Sequence, residues 1–537
     1  MKNDMNMKTN ITSIFAAALV LFTASCANEE TTKQDANQET AEGTNFVGGS
    51  AIKTRTSLDV TLPGGTTVDY FWEPNDKIWT NDGATGTAQI TAKSATANFR
   101  MSKAYNTSTV DVYYPGVNAT AYNQVTIATA QTQTAPNSTK HLGESGDCGV
   151  ATAHQQSDNS YHFDLDHKAA YLCLLPRTPH KLVSTYITQV KIISDNNIAG
   201  TYTLTKTGLT GSGSSNTITL TTPGDGTLVP GPYNYDGTPT TVPSPGFPLN
   251  NAATSQSTNA MYVVIAPGTH ALTIEYTIYD AMTNRGGTIT KTISSTNYAE
   301  NTVYPITANI KVTEYLADNF YMWDAQQQYW YGYEWTKNLG AGVGQPTFNN
   351  KSSSNYAQSN TDPRWYNESF PGNFISNPAT HTSCKDLPNA NEMSWYCMYG
   401  DPRWDADMLW TTMGHLYKGG MWFKKKSVLQ ADGHYNTEKA VDGEDLRITS
   451  KGYQNMNSSI TTSGRPSAAD AGNYFYLPAL GYYASGQLAD VGRSGTYWSS
   501  SANPWRNGNA YVIYFFDGYV CTNYNGRHCG ISVGAFE

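Results

Sequence analysis

Short runs of β-forming residues, each cut off by turn residues, constrain this chain more than any other feature. Val60-Thr61-Leu62 ends at Pro63-Gly64-Gly65, and Val68 to Trp72 runs into Pro74-Asn75-Asp76. Val110 to Tyr114 stops at Pro115-Gly116. The same grammar returns in Met261 to Ile265, before Ala266-Pro267-Gly268, and in Ala271 to Tyr279. β-Branched and aromatic side chains pack well on a pleated surface, while Gly, Pro, Asn and Asp supply the backbone angles of turns. Strands at this spacing, with no helical period between them, predict antiparallel β-sandwiches. The stretch to Thr313 is too long for one sandwich. A second is expected after the Gly/Thr/Pro-rich region near 208–260, which divides the stretch into an N-terminal sandwich over 56–225 and a second over 226–313.

A length of 537 residues predicts roughly three or four domains. Charged residues are only 14% and the net charge is −9, with no basic block of the kind that neutralises phosphates. Nucleic acid is therefore not an expected partner. The short run Lys424-Lys425-Lys426 reads as a solvated edge. At the N-terminus Lys2 and Lys8 precede an apolar run from Ile11 to Phe22 that is too short to span a bilayer. Thr23-Ala24-Ser25-Cys26 follows, and resembles a bacterial lipoprotein cleavage box with Cys26 as the lipidated residue. Glu29 and Glu30 resemble the export signal of lipoproteins displayed outside the outer membrane. Residues 1–26 are thus read as a signal peptide and 27–55 as a leader or tether, with little apolar content for a core. Six cysteines remain in a compartment that permits disulfides. Cys148 with Cys173 and Cys384 with Cys397 are candidate pairs, though sequence does not fix connectivity. No CxxC motif is present, and neither a metal nor a cofactor is expected.

The order of several blocks carries a family resemblance. Thr54-Arg55-Thr56-Ser57-Leu58, then Tyr70 to Ile78, then Phe163-Asp164-Leu165-Asp166-His167-Lys168 and the Ala266-Pro267-Gly268 block resemble fimbrillin-like pilins. These are subunits of type V pili built from two transthyretin-like β-sandwiches. The resemblance implies a lipidated precursor at the outer membrane and a leader removed by an Arg-specific protease. It also implies other pilin subunits as partners, joined when an incoming strand fills the groove left by the leader. Arg55 is the cleavage candidate, since Arg100 and Arg177 lie inside folded sequence.

Past Thr313 aromatics crowd together, from Tyr315 to Trp335, and helical patterns begin. A short helix is predicted over Asn389–Met398. Another is predicted over Asp405–Tyr417, where Met408, Leu409, Met413 and Leu416 fall at helical spacing. Strands resume at Tyr474–Pro478. The expected fold class is therefore multi-domain and mainly β: two transthyretin-like sandwiches, then an α+β domain over 314–537. Lys385 to Met393, Gly419-Gly420-Met421-Trp422, Leu477 to Tyr482 and Tyr497-Trp498-Ser499-Ser500-Ser501 resemble the C-type-lectin-like domain of some fimbrillin-like pilins. They are also similar to the variable proteins of diversity-generating retroelements.

The tail has a distinctive composition. From Arg506 to Phe536 there is no Lys, Glu, Gln, Met or Trp. Those are the residues that codons ending in a pyrimidine cannot encode, which is the signature of Asn codons randomised at adenine. Read as strands, Ile513 and Phe515 point one way and Val512, Tyr514 and Phe516 the other. The expected ligand-binding face within the variable region 505–537 comprises Asn507, Asn509, Val512, Tyr514, Phe516, Tyr519, Cys521, Asn523, Tyr524, Asn525, Gly526, His528 and Cys529. Tyr suits such a face, with large area, few rotatable bonds and a polar tip. Arg527 is expected to support the loop, and Trp498 with its serines to form a buried ledge.

Other signals point less far. Cys521 and Cys529 are similar in placement to the redox pair of sulfatase-activating enzymes, but an activated thiol needs an electropositive pocket. His162 to His167 reads as the solvent face of an amphipathic strand. Asp405 reads as a helix cap. No EPN- or QPD-like triplet supports calcium binding. The expected function is a non-enzymatic cell-surface adhesin: a lipoprotein precursor of a pilus tip subunit that binds an unknown protein or glycan through 505–529. The tip placement rests on Ile531-Ser532-Val533 reading as a closing core strand. The alternatives are a non-polymerising surface lectin that captures polysaccharide and an enzyme of the sulfatase-activating fold.

Overall fold

β1 (Asn45–Gly48), β2 (Ala97–Arg100) and β3 (Tyr161–Phe163) are neighbours in an eight-stranded sheet, with β1 between the other two. This computed structural model describes residues 43–49, 57–58, 68–69, 71–180, 182–234, 238–333, 353–534 and 536–537. The lipidation candidate Cys26, the expected signal peptide and the cleavage candidate Arg55 lie outside the described residues. β1 runs antiparallel to β2 (Phe46↔Phe99) and parallel to β3 (Phe46↔Tyr161). Phe46 is fully buried and stacks on Tyr161 with ring centroids 4.8 Å apart. The expectation of a tether over 27–55 is corrected here: residues 45–48 are sheet. Two apolar residues among Gly, Thr and Asn suffice because the neighbouring strands satisfy the backbone on both sides. Trp72, Phe99, Tyr114 and Phe163 complete the first core.

The second core draws on residues from Tyr113 to Val312, and on Leu416 from the C-terminal domain. β4 (Ala170–Arg177) is a continuous buried run, as expected of a strand covered on both faces. It pairs antiparallel with Met261–Ile265 and parallel with Thr302–Asn309. β5 (Thr185–Ser194), β6 (Gly268–Asp280) and β7 (Arg285–Tyr298) form the body of a second sheet. Leu272, Ile274, Tyr276 and Ile278 alternate inward along β6. Leu220 and Phe247, on either side of the expected division at 225, share this core. The change of core falls instead between Leu165 and Ala169, with Tyr113, Val125, Ile127, Leu142, Cys148 and Val150 crossing early into the second. The Gly/Thr/Pro composition that suggested a boundary belongs to connections inside one sandwich.

In the C-terminal domain α1 (Ala390–Tyr399) matches the predicted helix, and Asn389 and Glu392 form a capping box at its start. The second predicted helix is corrected. Residues 403–424 form a hairpin of β8 (Arg403–Thr412) and β9 (His415–Lys424). Met413 and Gly414, with φ of 52° and 80°, make its two-residue turn. The apolar spacing that mimicked a helix comes from a bulge between Asp405 and Leu409 that shifts the alternation. Asp405 caps that bulge and not a helix: its carboxylate accepts from the Asp407 and Met408 amides (3.0 and 2.9 Å) and from Trp422 Nε1 (3.0 Å).

β10 (Tyr453–Asn455), β11 (Tyr474–Pro478, as predicted), β12 (Ser494–Ala502), β13 (Asn509–Phe516), β14 (Tyr519–Gly526) and β15 (Ile531–Ser532) complete the domain. One sheet runs β15-β12-β13-β14-β10, with Phe320–Tyr321 at its far edge. The Gly414 turn docks this domain on the second sandwich, its carbonyl accepting from Val183 N at 3.0 Å. Beside it Asp280, fully buried, accepts from Ser184 Oγ (2.7 Å), Thr185 Oγ1 (3.2 Å) and Leu416 N (3.1 Å). His415 Nδ1 lies 3.0 Å from the same serine. The described residues from Gly43 onward form one compact unit.

The six described cysteines are buried free thiols, so the candidate disulfides Cys148–Cys173 and Cys384–Cys397 do not form. Cys384 and Cys397 lie in different clusters of the C-terminal core, and Cys148 and Cys173 serve as small apolar packing groups. His162, Asp164 and Asp166 are exposed at alternate positions, as the amphipathic reading expects. His167 turns inward instead, its Nδ1 2.6 Å from buried Asp147. The three lysines 424–426 pair with Asp432, Glu537 and Glu392.

Candidate ligand-binding face

The register of β13 and β14 decides which tail residues share a face. Phe516 opposes Tyr519, Tyr514 opposes Cys521, Val512 opposes Asn523 and Ala510 opposes Asn525. The alternate pairs, Phe515–Val520, Ile513–Thr522 and Tyr511–Tyr524, face the other way. Ile513, Phe515 and Val520 are fully buried against α1 and β9 in the main core. That side was predicted correctly.

The outer face divides in two. Toward the Phe516–Tyr519 turn it is open. Phe516 is 39% exposed and stacks on Tyr519 at 4.9 Å, and Tyr514 packs beside both, at 5.8 and 6.3 Å. Asn523 is exposed and Asn525 half-buried farther along β14, and Gln454 of β10 lies opposite Cys521. Toward the other end the face is covered. Val512, Cys529, Trp498 and Ala510 join Trp323, Ala379 and Cys384 in a closed cluster.

Three predicted face residues are therefore corrected: Val512, Cys521 and Cys529 are buried, at 2%, 4% and 6% exposure. Alternation placed Val512 on the right side of the strand, but it could not show that the segment carrying Ala379 lies over that side. That segment is anchored by a bond from Ala379 N to Ser500 O at 2.7 Å. Burial pushes the Cys529 thiol up to about 11 and raises that of Cys521, the opposite of an activated nucleophile. Tyr524 is corrected too. It sits on the opposite side of the sheet, against Tyr511 and beneath the Arg506 guanidinium at 5.0 Å. Asn507 and His528 are exposed, and Asn509 and Gly526 half-buried, at the open end of the hairpin, away from the Phe516–Tyr519 turn.

Arg527 does what the sequence suggested. It is fully buried, and its guanidinium donates to the carbonyls of Asn509 (3.0 Å), Asn367 (2.8 Å) and Ser369 (2.9 Å). It also lies 4.5 Å over the Trp323 ring. Burial lowers its pKa to about 10, only partly opposed by nearby Tyr366 and Asp324. Trp498 and Ser499–Ser501 are buried beneath, as expected.

A second exposed group was not named among the face residues, although Trp505 opens the expected 505–529 segment. Trp505, Phe374 and Ile375 are 59%, 58% and 49% exposed, and the two aromatic rings lie 5.6 Å apart. Phe374 has a φ of 61°, which is strained for an aromatic residue, and its amide donates to Pro504 O at 2.9 Å. Trp505 stands one residue before the compositional gap, and Phe374 follows Pro371-Gly372-Asn373, a turn signal. Those were the available clues.

No family model matches the chain, and no curated protein matches it. Some solved structures align with it at low scores. A proposed cell adhesion protein of Bacteroides ovatus aligns over 51% of this chain and 93% of its own, at 12% identity and a TM-score of 0.30. One of Bacteroides uniformis aligns over 50% of this chain and 94% of its own, at 15% identity and a TM-score of 0.26. A fimbrial protein of Bacteroides ovatus aligns over 92% of this chain and 99% of its own, at 10% identity and a TM-score of 0.22.

Proposed function

We propose that this chain is a cell-surface adhesin, the tip subunit of a pilus-like fibre, whose sandwiches join the fibre and whose C-terminal domain meets a protein or glycan. The observation that carries this reading is the division of labour in the tail. Phe516, Tyr519, Asn523, His528 and Asn507 face outward, while Ile513, Phe515, Val520 and Arg527 hold the platform from within. Side chains in the first group can change without cost to the second. Exposed aromatics grouped in this way favour a recognition role.

Fibre entry is supported by β1. It precedes Arg55 in sequence and occupies a slot between β2 and β3. Cutting at Arg55 would free the leader and leave that slot for a strand of another subunit. In this reading Cys26 anchors the precursor to the outer membrane before trimming.

The test has two arms. The Phe516→Ala/Tyr519→Ala variant should keep the parent's thermal midpoint and lose binding on combined glycan and cell-surface protein arrays. Arg-specific protease should trim the precursor after Arg55 and release it into fibres. An unchanged array profile refutes the binding face. A trimmed chain that stays monomeric beside other subunits favours the second reading, a free surface lectin. That alternative draws on the stacked Phe516–Tyr519 pair with Asn523 and Gln454 nearby, which would suit a sugar ring.

A further inference from the structure

The slot that β1 occupies is shaped by rings as well as by backbone. Trp72 Nε1 donates to Gly48 O at 3.1 Å, which brings the edge of the indole against the strand. A Cβ at Gly48 would stand 2.7 Å from Trp72 Cζ2 and 2.8 Å from Phe163 Cζ, closer than such contacts allow. Both rings are buried and held by further aromatic neighbours, so neither can move aside. Gly49, at a φ of +86°, has a left-handed backbone, and a Cβ there would collide with the Ala95 carbonyl. Two residues before Gly48 the demand reverses. Phe46 fills a pocket between Tyr161, at 4.8 Å and nearly parallel, and Tyr105, edge-on at 5.7 Å.

We infer that this slot selects its strand by shape, accepting an extended segment of another polypeptide that reads aromatic–x–Gly–Gly and runs parallel to β3. The inference rests on the proposed exchange of β1 for a partner strand and adds the rule of selection. The backbone ladder supplies affinity for any strand: β1 pairs with four residues of β2 and three of β3, and Gly49 N donates to Phe163 O at 3.0 Å. A ladder does not distinguish sequences, whereas pockets for alternate side chains do. In this slot the Phe46 pocket demands bulk, and the wall at Gly48 forbids it. A strand displaced by one residue would place its aromatic side chain on the opposite face of the sheet. The same two positions therefore fix both register and partner.

The test uses the full chain trimmed by Arg-specific protease, with loss of the leader followed by mass spectrometry. Biotinylated peptide Gly-Thr-Asn-Phe-Val-Gly-Gly is added in excess, beside versions carrying Phe46→Ala or Gly48→Ala. Retention is read after gel filtration, with untrimmed chain as control. The account expects the parent peptide to be retained, and each variant to bind at least tenfold more weakly. Equal retention of all three peptides overturns the selection rule and leaves strand exchange standing. If the leader departs and no peptide is retained, both ideas fall. If the leader stays, the chain carrying Phe46→Ala, whose resident strand is weakened, is trimmed and tested in the same way. A leader that remains even then shows that the slot does not exchange, and again overturns both.

Discussion

Replacing Arg527 with Met is the sharpest probe of how the binding face is held. The guanidinium ties its own loop to two pieces of chain: the start of β13 through Asn509, and the covering segment through Asn367 and Ser369. Hydrogen bonds from a charged donor contribute about 1.5–3 kcal/mol each, so three would be worth ~5–9 kcal/mol in isolation. Burial of the charge opposes part of this, as the fall of the Arg527 pKa to about 10 records. Met keeps the packing on Trp323 but removes all three links; Ser369 O still accepts from Asn377 Nδ2 and Asn509 O from the Asn503 amide, so the loss falls chiefly on Asn367 O. The expected net loss is about 3–5 kcal/mol. Arg527→Lys should recover little of it, because one ammonium cannot reach three carbonyls from a single stem. Hydrogen exchange of the full chain provides the assay. Amides of 367–380 and 503–509 should lose protection together in Arg527→Met, while β6 in the second sandwich keeps its own. Unchanged protection in both segments would refute the claim that this arginine clamps them.

Two further outcomes follow from buried polar groups. Asp280→Ala leaves Ser184, Thr185 and the Leu416 amide without their shared acceptor, and should loosen the C-terminal domain from the second sandwich at a cost of about 3–5 kcal/mol; earlier proteolysis between 310 and 320, with each core still protected, is the readout. Burial lowers the pKa of His141 from 6.5 to about 4, although its Nε2 contacts Tyr262 O at 2.9 Å. Its folded value is depressed, so the stability it allows is complete above pH 6.5 and is lost as pH falls through about 4. The gap corresponds to about 3 kcal/mol, and urea midpoints of His141→Gln should depend less on pH across that window than those of the parent.

The fold class was legible because alternation and turn chemistry are local, as along β6 and in the turn residues at 115–116. The helix at Asn389 was legible for the same reason, since its cap and partner lie three residues apart. What sequence could not supply was anything set by distant chain. The Asp405–Leu409 bulge breaks the period and makes a strand look helical. β1 reads as linker because its partners are about fifty residues away on one side and more than a hundred on the other. On the candidate face, alternation sorted Ile513 and Phe515 from Phe516 and Tyr519. It failed at Val512 and Cys521, which are buried although they lie on the outer side, and at Tyr524, where β14 continues to Gly526 and alternation past Asn523 turns the ring to the other side. Trp505 and Phe374 come together because the distant segments 374–379 and 500–504 bond to one another.

The central claim is that outward residues of the tail are free to change while the platform beneath them is not. Two saturation libraries of the full chain, displayed on cells and sorted for protease resistance, measure this directly. One varies Asn507, Phe516, Tyr519, Asn523 and His528; the other varies Val512, Cys521, Arg527 and Cys529. The account predicts that most members of the first library stay folded and most members of the second do not. Equal tolerance in the two, or greater loss in the first, would contradict it.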